Sequence, residues 1–355
     1  MPLRKIAVLG LGKVGTLAAR LLDQGGFDVT GFDSRPAPGT PPFAVRTVDL
    51  AADDGVRAAT EGFDAVLSCL PYRVNQRIAT AAHARGMHYF DLTEDVPTTQ
   101  AIIELSKTSR GLMAPQCGLA PGFVGIVGAA QVAAFAECRS LRLRVGALPQ
   151  HPTGLMGYAF NWSPEGVVNE YLNDCEVIED GVRKMVSSME WIETLYVEGV
   201  KLEAFTTSGG LGTICETYHG KIANIDYKTM RYPGHMRLMN FFFHELLMRE
   251  RRELAGEILT NAKPPVNDDI VYVHVSSEGT LDGRLQRHEF VRAYRPLELA
   301  GGMQTAIAWT TSASAVAIIE MVRDGALPQS GFLKQEQVPF DKFLATTTGR
   351  LFEAR

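Results

Sequence analysis

A glycine-rich turn between an apolar segment and a helical one is the feature that most constrains the fold of this chain. The apolar residues 6–9 lead directly into Gly10-Leu11-Gly12-Lys13-Val14-Gly15, a helical pattern follows, and a second short apolar run ends at Asp33. A strand, a G-x-G-x-x-G turn, a helix and a second strand ending on an acid form the unit that binds dinucleotides. The sequence therefore predicts an α/β fold with an N-terminal Rossmann domain, a doubly wound parallel sheet. The alternative is a glycine-rich turn that binds no cofactor.

The three glycines have different predicted roles. Gly10 permits the tight turn off the first strand, Gly12 lets the backbone approach a pyrophosphate, and Gly15 allows close packing of the helix on the strand. The free amide groups at the helix N-terminus would then bind the phosphates.

Asp33 indicates which dinucleotide is bound. Its carboxylate can accept hydrogen bonds from both hydroxyls of an adenosine ribose, which favours NAD because a 2′-phosphate would meet a like charge. Arg35 is able to pair with that phosphate, so NADP stays open. The predicted cofactor-binding residues also include neighbours of the turn and of two strand ends: Lys13, Val14, Ser34, Cys69, Leu70 and Pro71.

Composition excludes several other classes of protein. The chain has 355 residues with 46% hydrophobic and 21% charged, which fits two globular domains. The formal net charge of −5 argues against a nucleic-acid or membrane partner, either of which would need a concentrated basic face. Five cysteines without a C-x-x-C pair predict a reduced, cytoplasmic setting. The histidines show no metal-ligand spacing, so no metal site is predicted.

Alternating strands and helices continue to about residue 118. Strands are predicted at 64–70, 88–92 and 112–117, and ligands of such sheets bind at the carboxyl ends of the strands. We therefore expect the residues that end or follow these strands to face one cleft. These residues are Tyr72, Asp91, Glu94, Gln116 and Cys117.

Beyond residue 118 the pattern becomes a mixture of strands and helices. It predicts an α+β substrate domain over residues 119–304, after a dinucleotide-binding domain over 1–118. A helix from residue 305 opens a C-terminal segment, 305–355, that is expected to return toward the Rossmann domain.

Three motifs in both parts of the chain resemble the saccharopine dehydrogenase family. They are Gly118-Leu119-Ala120-Pro121-Gly122-Phe123, then Gly157-Tyr158-Ala159-Phe160-Asn161-Trp162-Ser163-Pro164-Glu165-Gly166, then Tyr227-Lys228-Thr229-Met230-Arg231-Tyr232-Pro233-Gly234-His235. The resemblance implies a Rossmann domain, a second domain that builds a homodimer interface, and nicotinamide-dependent chemistry at a carbon–nitrogen bond of an amino acid.

Ala120 distinguishes two branches of that family. Saccharopine-forming members tend to carry Asp-Pro-Gly where this chain has Ala120-Pro121-Gly122. The resemblance therefore favours the lysine 6-dehydrogenase-like branch.

The chemistry implied by this branch needs a cation for the substrate carboxylate and a group that transfers protons near neutrality. Arg231 is predicted to bind the carboxylate, and His235 to act as the acid–base group or a substrate ligand. The intervening Pro233 and Gly234 favour a loop, so the alternative is a surface loop with solvated charges.

Two acids near the end of a predicted strand are further candidates. Asp91 and Glu94 would orient the substrate amine or balance its charge, or one of them would cap the next helix. Tyr72, Gln116 and Cys117 are predicted substrate contacts, although burial of Cys117 in a structural role is the simpler reading of that residue.

We therefore expect an NAD-dependent enzyme that oxidatively deaminates a basic amino acid, first of all lysine at its ε-amine. A saccharopine-type reductive condensation is the alternative within the same class. A non-catalytic NAD-binding sensor is the alternative from another class.

Overall fold

The computed structural model describes residues 3–36 and 40–353. Their contacts divide the chain into two compact units. The first unit comprises Met1–Ile126, Leu299–Gly302 and Ala308–Arg355, and the second comprises Val127–Glu298 and Met303–Ile307. The chain thus leaves the first unit and later re-enters it.

The described residues form strands and helices in an order that changes between the two units. The strands are β1 (Lys5–Leu9), β2 (Asp28–Asp33), β3 (Ala44–Thr47), β4 (Ala65–Ser68), β5 (His88–Asp91), β6 (Leu112–Ala114), β7 (Glu137–Pro149), β8 (Cys175–Glu179), β9 (Val182–Val186), β10 (Glu193–Val197), β11 (Val200–Thr206), β12 (Asn224–Arg231), β13 (Asp269–Leu281), β14 (Arg284–Tyr294), β15 (Leu297–Leu299), β16 (Gly302–Gln304) and β17 (Gly331–Phe332). The helices are α1 (Lys13–Gln24), α2 (Asp53–Thr60), α3 (Tyr72–Arg85), α4 (Val96–Ser106), α5 (Phe123–Ala133), α6 (Pro164–Leu172), α7 (Ile214–Tyr218), α8 (His235–Asn240), α9 (Arg252–Ala262), α10 (Ala306–Arg323) and α11 (Phe340–Ala345).

The first unit is built on a parallel sheet with the strand order β3-β2-β1-β4-β5-β6-β17. The order reverses between β1 and β4, which is the switch point where doubly wound sheets bind dinucleotides. Ala7 and Leu9 pack with residues of α2, α3 and α4 in one buried cluster. The predicted Rossmann domain is confirmed.

The second unit is an α+β unit around a mixed sheet. Its strands run β10-β11-β12-β7-β13-β14, and β8 pairs with both β12 and β9. Only β7 and β12 pair in parallel among these strands of the described chain. The alternation of Leu141, Leu143 and Val145, which is typical of a half-buried strand, lies within β7, whereas no such pattern predicted β12.

The Asp91 carboxylate connects several segments at the C-terminal ends of the parallel strands. It is fully buried and accepts hydrogen bonds from the Tyr89 hydroxyl (2.7 Å), the Asn75 amide (3.4 Å) and the backbone amides of Thr93 (3.0 Å) and Gln116 (2.9 Å). Burial raises the pKa of Asp91 to about 6, against the opposing effect of these donors. One carboxylate therefore ties the end of β5 to α3 and to the segment after β6.

No helix in the described ranges, 3–36 and 40–353, is both long enough and apolar enough to cross a bilayer.

The raised pKa of Asp91 makes stability depend on pH in a defined direction. The folded protein binds a proton here below about pH 6, whereas in the unfolded chain the carboxyl has the ordinary aspartate pKa of 3.8 and binds the proton only near that pH. The contribution of Asp91 to the free energy of unfolding therefore falls by about 2–3 kcal/mol as the pH rises from 4 to 6. We expect Asp91→Asn to lack this pH dependence. In urea titrations, its free energy of unfolding should therefore rise relative to that of the wild type between pH 4 and pH 6.

The exposed Asp53, substituted in the same way, is the matched control for that titration and should keep the wild-type slope. Parallel pH profiles for the wild type and Asp91→Asn would contradict the assignment of the slope to Asp91.

Candidate functional site

The turn after β1 uses its three glycines for three different purposes. Gly10 has φ +85°, and a Cβ there would lie 2.9 Å from the Cys69 carbonyl oxygen. A Cβ on Gly15 would lie 1.8 Å from the Gly10 carbonyl oxygen, so helix and turn are in direct backbone contact. A Cβ on Gly12 would meet no atom of the described residues within 4 Å. Gly12 therefore faces open space, as a residue beneath a pyrophosphate must.

The N-terminus of helix α1 lies at that space, and no side chain caps its first amide groups among the described residues. Within the described chain, its N-cap Gly12 offers no side-chain acceptor and its first turn contains no acidic residue. The first amides of a helix have no acceptor inside the helix, and the positive end of its dipole attracts anions. The backbone here fits the phosphates of a nicotinamide dinucleotide.

Asp33 ends β2 beside this turn. Its carboxylate accepts hydrogen bonds from the amides of Leu11 (2.6 Å) and Arg35 (2.9 Å), which fix its orientation. An ionised carboxylate has about four acceptor positions, so two hydrogen bonds leave room for ribose hydroxyls. Ser34 and Arg35 are exposed next to it, and residues 37–39 lie outside the described ranges.

Other predicted cofactor residues lie around the same edge of the sheet. Lys13 is exposed and Val14 is half-buried in the first turn of α1. Cys69 and Leu70 lie close to Gly10, and Pro71 is the N-cap of α3. Burial and the nearby Asp91 raise the pKa of Cys69 to about 12, so its side chain is a neutral thiol.

Three predicted substrate contacts occupy different environments in the first unit. Tyr72 is half-buried at the start of α3. Gln116, with φ +64°, is buried and donates from its amide to the Thr99 hydroxyl (3.1 Å). Cys117 is fully buried, its thiol contacts the Ala114 carbonyl oxygen (3.1 Å), and burial raises its pKa. These contacts agree with the structural alternative for Cys117.

The acid that caps α4 is neither of the two that were considered. Asp95 is the N-cap, and its carboxylate accepts hydrogen bonds from the amide (2.9 Å) and hydroxyl (2.6 Å) of Thr98. The alternative that Asp91 or Glu94 caps this helix was therefore wrong. Asp91 joins the sheet edge, and Glu94 is half-buried after β5.

Arg231 and His235 lie in regular structure rather than in a loop. Arg231 is the last residue of β12 and His235 is the first residue of α8, with only Tyr232, Pro233 and Gly234 between these elements. Arg231 is 2% exposed and His235 is 0% exposed. The expectation of a loop was wrong because proline and glycine here form a tight turn between two elements. The alternative of solvated surface charges is wrong as well.

The carboxylate of Glu203 holds that turn in place. It accepts hydrogen bonds from the amides of Gly234 and Met236, each at 2.7 Å. Because β11 places Glu203 opposite Arg231 in the sheet register, the turn is fixed from the neighbouring strand.

A chain of hydrogen bonds links the two predicted residues. The Arg231 Nε–H donates to the Tyr171 hydroxyl (2.7 Å), and the Tyr171 hydroxyl lies 3.0 Å from His235 Nε2. His235 Nδ1 lies 2.9 Å from the Met156 carbonyl oxygen. This network assigns the proton to Nδ1 and makes Nε2 the acceptor of the tyrosine proton. Burial and the charge of Arg231 lower the pKa of His235 to about 3, so the ring is neutral.

Two arginines of this unit are buried to the same extent but are compensated differently. Arg144 is 2% exposed and forms ion pairs with both Glu193 and Asp226. Arg231 is also 2% exposed, yet no carboxylate of the described residues forms an ion pair with it. Its guanidinium lies over the rings of Tyr158 (4.7 Å) and Tyr171 (5.6 Å), and longer-range attraction to Glu170 supports its charge.

The hydrogen bonds of that guanidinium to described residues involve only two of its three nitrogens. Nε donates to Tyr171, and Nη1 donates to the Thr229 hydroxyl (2.5 Å) and the Met230 carbonyl oxygen (2.9 Å). Nη2 makes no hydrogen bond with any described residue. A buried cation with a free donor is suited to bind an anionic group.

The sequence interpretation missed Tyr158, Tyr171 and Glu203. Tyr158 belongs to the motif quoted above, but its contact with Arg231 crosses from one part of the chain to another. Tyr171 lies in α6 on the same buried face as Val167 and Val168, so the sequence pattern marks it as a core residue only. Among the described residues, no group of three or more His, Cys, Asp or Glu side chains has the arrangement of a metal site.

The two units together define a dehydrogenase-like protein with a nucleotide-binding sheet and a separate unit that contains a buried arginine. Family comparison makes this definition specific. Residues 6–113 match the saccharopine dehydrogenase NADP binding domain, and residues 118–352 match the saccharopine dehydrogenase C-terminal domain. The chain belongs to the saccharopine dehydrogenase family, as its motifs predicted, and it binds a nicotinamide cofactor.

Solved structures with a similar fold include several amino-acid dehydrogenases. Apo saccharopine dehydrogenase (L-Glu forming) from Saccharomyces cerevisiae matches with a TM-score of 0.71 and 14% identity, over 96% of each chain. The DAP dehydrogenase of C. glutamicum in complex with DAP matches with a TM-score of 0.53 and 15% identity, over 99% of each chain. An engineered D-amino acid dehydrogenase bound to NADP+ matches with a TM-score of 0.54 and 14% identity, over 99% of this chain and 98% of that one. At these identities the likeness shows a shared fold.

The open space above Gly12 and the tight contact at Gly15 predict opposite phenotypes for the same substitution. Gly12→Ala should fold like the wild type but bind NAD(P) roughly tenfold more weakly, because the added methyl occupies the phosphate cradle. Gly15→Ala should lose about 3 kcal/mol of stability or more, because the methyl meets backbone. Thermal melts and cofactor titrations measure the two effects separately.

Each glycine variant serves as the control for the other. Unchanged cofactor affinity in Gly12→Ala, or an unchanged melting temperature in Gly15→Ala, would mean that the cradle has been assigned to the wrong residues.

Proposed function

We propose that this protein is a nicotinamide-dependent dehydrogenase that oxidatively deaminates a basic amino acid, with the ε-amine of lysine as the first candidate. The observation that carries the proposal is the buried Arg231, which has a free Nη2 and no carboxylate partner among the described residues. Burying an uncompensated charge costs several kcal/mol. An amino-acid carboxylate supplies the missing charge, and the family supplies the cofactor chemistry.

Binding and orientation are the tasks of the second unit in this proposal. Arg231 binds the substrate carboxylate through Nη2, because its other two nitrogens are held by Tyr171, Thr229 and the Met230 carbonyl. A guanidinium that is already fixed loses little freedom when the substrate binds, which favours a defined substrate position. A nicotinamide dinucleotide, when bound, supplies the hydride acceptor.

We propose a positioning role for His235 in place of the acid–base role expected from the sequence. Both of its ring nitrogens are engaged, and its pKa of about 3 leaves it neutral at working pH. A proton carrier needs a pKa near the operating pH and a free nitrogen. His235 instead accepts a hydrogen bond from the Tyr171 hydroxyl. The hydroxyl oxygen of Tyr171 in turn accepts the hydrogen bond from Arg231 Nε.

Glu94 remains our candidate for orienting the substrate amine. Asp91 is an unsuitable candidate although its pKa of about 6 is close to neutrality, because four donors enclose its carboxylate. Glu94 follows the same strand and is half-buried.

Two choices within the proposal rest on single residues. Ala120 stands where saccharopine-forming members of the family tend to have aspartate, which favours deamination over saccharopine-type condensation. The saccharopine reaction is the second candidate, because both matched family models carry that name. Asp33 favours NAD, whereas the matched domain is described as NADP binding and Arg35 lies exposed beside it. The homodimer stays a prediction.

A substrate panel tests the proposed reaction. Reduced-nicotinamide absorbance should appear with lysine and NAD, without any second carbonyl substrate, and more weakly with ornithine. Oxidation of NAD(P)H when lysine is supplied together with a 2-oxo acid, or reduction of NAD(P) by saccharopine but not by lysine, would support the saccharopine reaction instead. No turnover of lysine, ornithine, saccharopine or polyamines, despite tight cofactor binding, would favour the sensor alternative.

Two variants should each affect a different substrate, one the amino acid and the other NAD. Arg231→Lys should raise KM for the amino acid by roughly 30- to 100-fold and change KM for NAD little, since lysine keeps the charge but loses the fixed Nη2 donor. Asp33→Ser should weaken NAD and relax the preference over NADP, while KM for the amino acid is unchanged.

These two variants are matched controls, because each is expected to spare the parameter that the other changes. Equal effects of Arg231→Lys on both substrates would assign Arg231 a structural role.

A further inference from the structure

We infer that the Tyr158 hydroxyl is a second donor of the substrate-carboxylate site beside Arg231, so that the site selects ligands with a carboxylate over amines without one. The inference rests on the proposed function for the identity of the reacting substrate. The recognition of a carboxylate can be tested without turnover.

The Tyr158 hydroxyl is buried and forms no hydrogen bond of normal geometry with any residue that the structure describes. Tyr158 is 2% exposed, and its Oη finds no partner of normal geometry among the described residues. An interaction with the Trp162 side chain lowers the pKa of Tyr158 against the larger effect of burial, but it does not have the geometry of a normal hydrogen bond. Buried hydroxyls are almost always hydrogen-bonded, so this one requires an explanation. Tyr171, equally buried in the same cluster, has partners on both sides.

The ring of Tyr158 lies directly against the free cation. The Arg231 guanidinium carbon is 4.7 Å from the centroid of this ring, and the His235 ring meets it edge-on at 5.2 Å. The hydroxyl is on the rim of the ring that Arg231 covers. Tyr158 Oη and Arg231 Nη2, two donors without a hydrogen-bond partner among the described residues, therefore lie on side chains that contact each other.

Packing contacts hold the ring of Tyr158 in this position. Gly157 has φ +55°, and a Cβ there would lie 3.1 Å from the Tyr232 side chain, so the backbone passes close to that residue. The Phe160 ring meets the Tyr158 ring edge-on at 5.0 Å. Because the ring is fixed without its hydroxyl, the hydroxyl is available to a ligand.

A carboxylate satisfies both donors, whereas an ammonium group satisfies neither. The tyrosine remains a neutral donor at working pH because burial raises its pKa. A carboxylate oxygen accepts from the hydroxyl while the charge of the group balances Arg231. A diamine would bring more donors and a like charge to the same place.

The test compares Tyr158→Phe with the wild type in binding and in stability. Calorimetric titrations, with NADH present in place of NAD so that the amines cannot be oxidised, would use L-lysine, L-glutamate, 6-aminohexanoate and cadaverine, the last of which lacks a carboxylate. We expect Tyr158→Phe to weaken binding of the carboxylates by roughly tenfold or more, with unchanged NAD affinity. The melting temperature without ligand should stay the same or rise, because an unsatisfied hydroxyl has been removed.

Tyr196→Phe is the matched control, since Tyr196 is 67% exposed and its change should leave every affinity as it was. The inference is overturned if Tyr158→Phe binds the carboxylates as the wild type does, if cadaverine binds the wild type as tightly as lysine, or if no carboxylate of the panel binds. A lower melting temperature with unchanged affinities would assign the hydroxyl a structural role and also overturn it.

The same data separate this inference from the proposed reaction. Carboxylates that bind in a Tyr158-dependent way without any turnover would support the inference and reject the deamination. Turnover of lysine with a KM that Tyr158→Phe leaves unchanged would support the deamination and reject the inference.

Discussion

Burial of charge away from water is the constraint that shapes both units of this protein. Asp91 is compensated by four donors at the sheet edge, Asp269 by the first amides of α10, and Arg144 by two carboxylates. Each of these charges joins segments that are distant in sequence, since an unpaired buried charge would cost several kcal/mol. Arg231 departs from the rule among the described residues, and this difference is the basis of the carboxylate site proposed above.

Local chemistry explains why the nucleotide-binding part was readable from the sequence. The roles of Gly10, Gly12 and Gly15 depend on backbone within a few residues of each other and on one neighbouring strand, so spacing alone identifies them. Asp33 is equally local, because it ends the next strand of the same unit. The cap of α4 was also encoded locally: Asp95 precedes a proline in the first turn, a pattern typical of helix starts.

The second unit was less readable because its contacts are long-range. The strand β12 places Asp226 and Lys228 among polar partners, so its charges obscured a buried strand. Arg231 and Tyr171 are separated by 60 positions in sequence, and no periodicity links them. The sequence did contain Arg231 and His235 as a recognisable motif. Their burial, the neutral tautomer of the imidazole and the absence of a described partner for Nη2 follow only from tertiary packing.

The short strand β17 has a consequence for the order in which the protein is synthesised. It pairs with β6, and Gln335, just beyond it, donates to the Pro115 carbonyl oxygen (2.8 Å), so chain from the far end completes the parallel sheet. During translation the apolar strand β6 emerges long before its outer neighbour exists. An unpaired sheet edge favours association with other chains. The outer edge of β6 therefore stays unpaired until Gly331 and Phe332 have been synthesised, after the whole of the second unit.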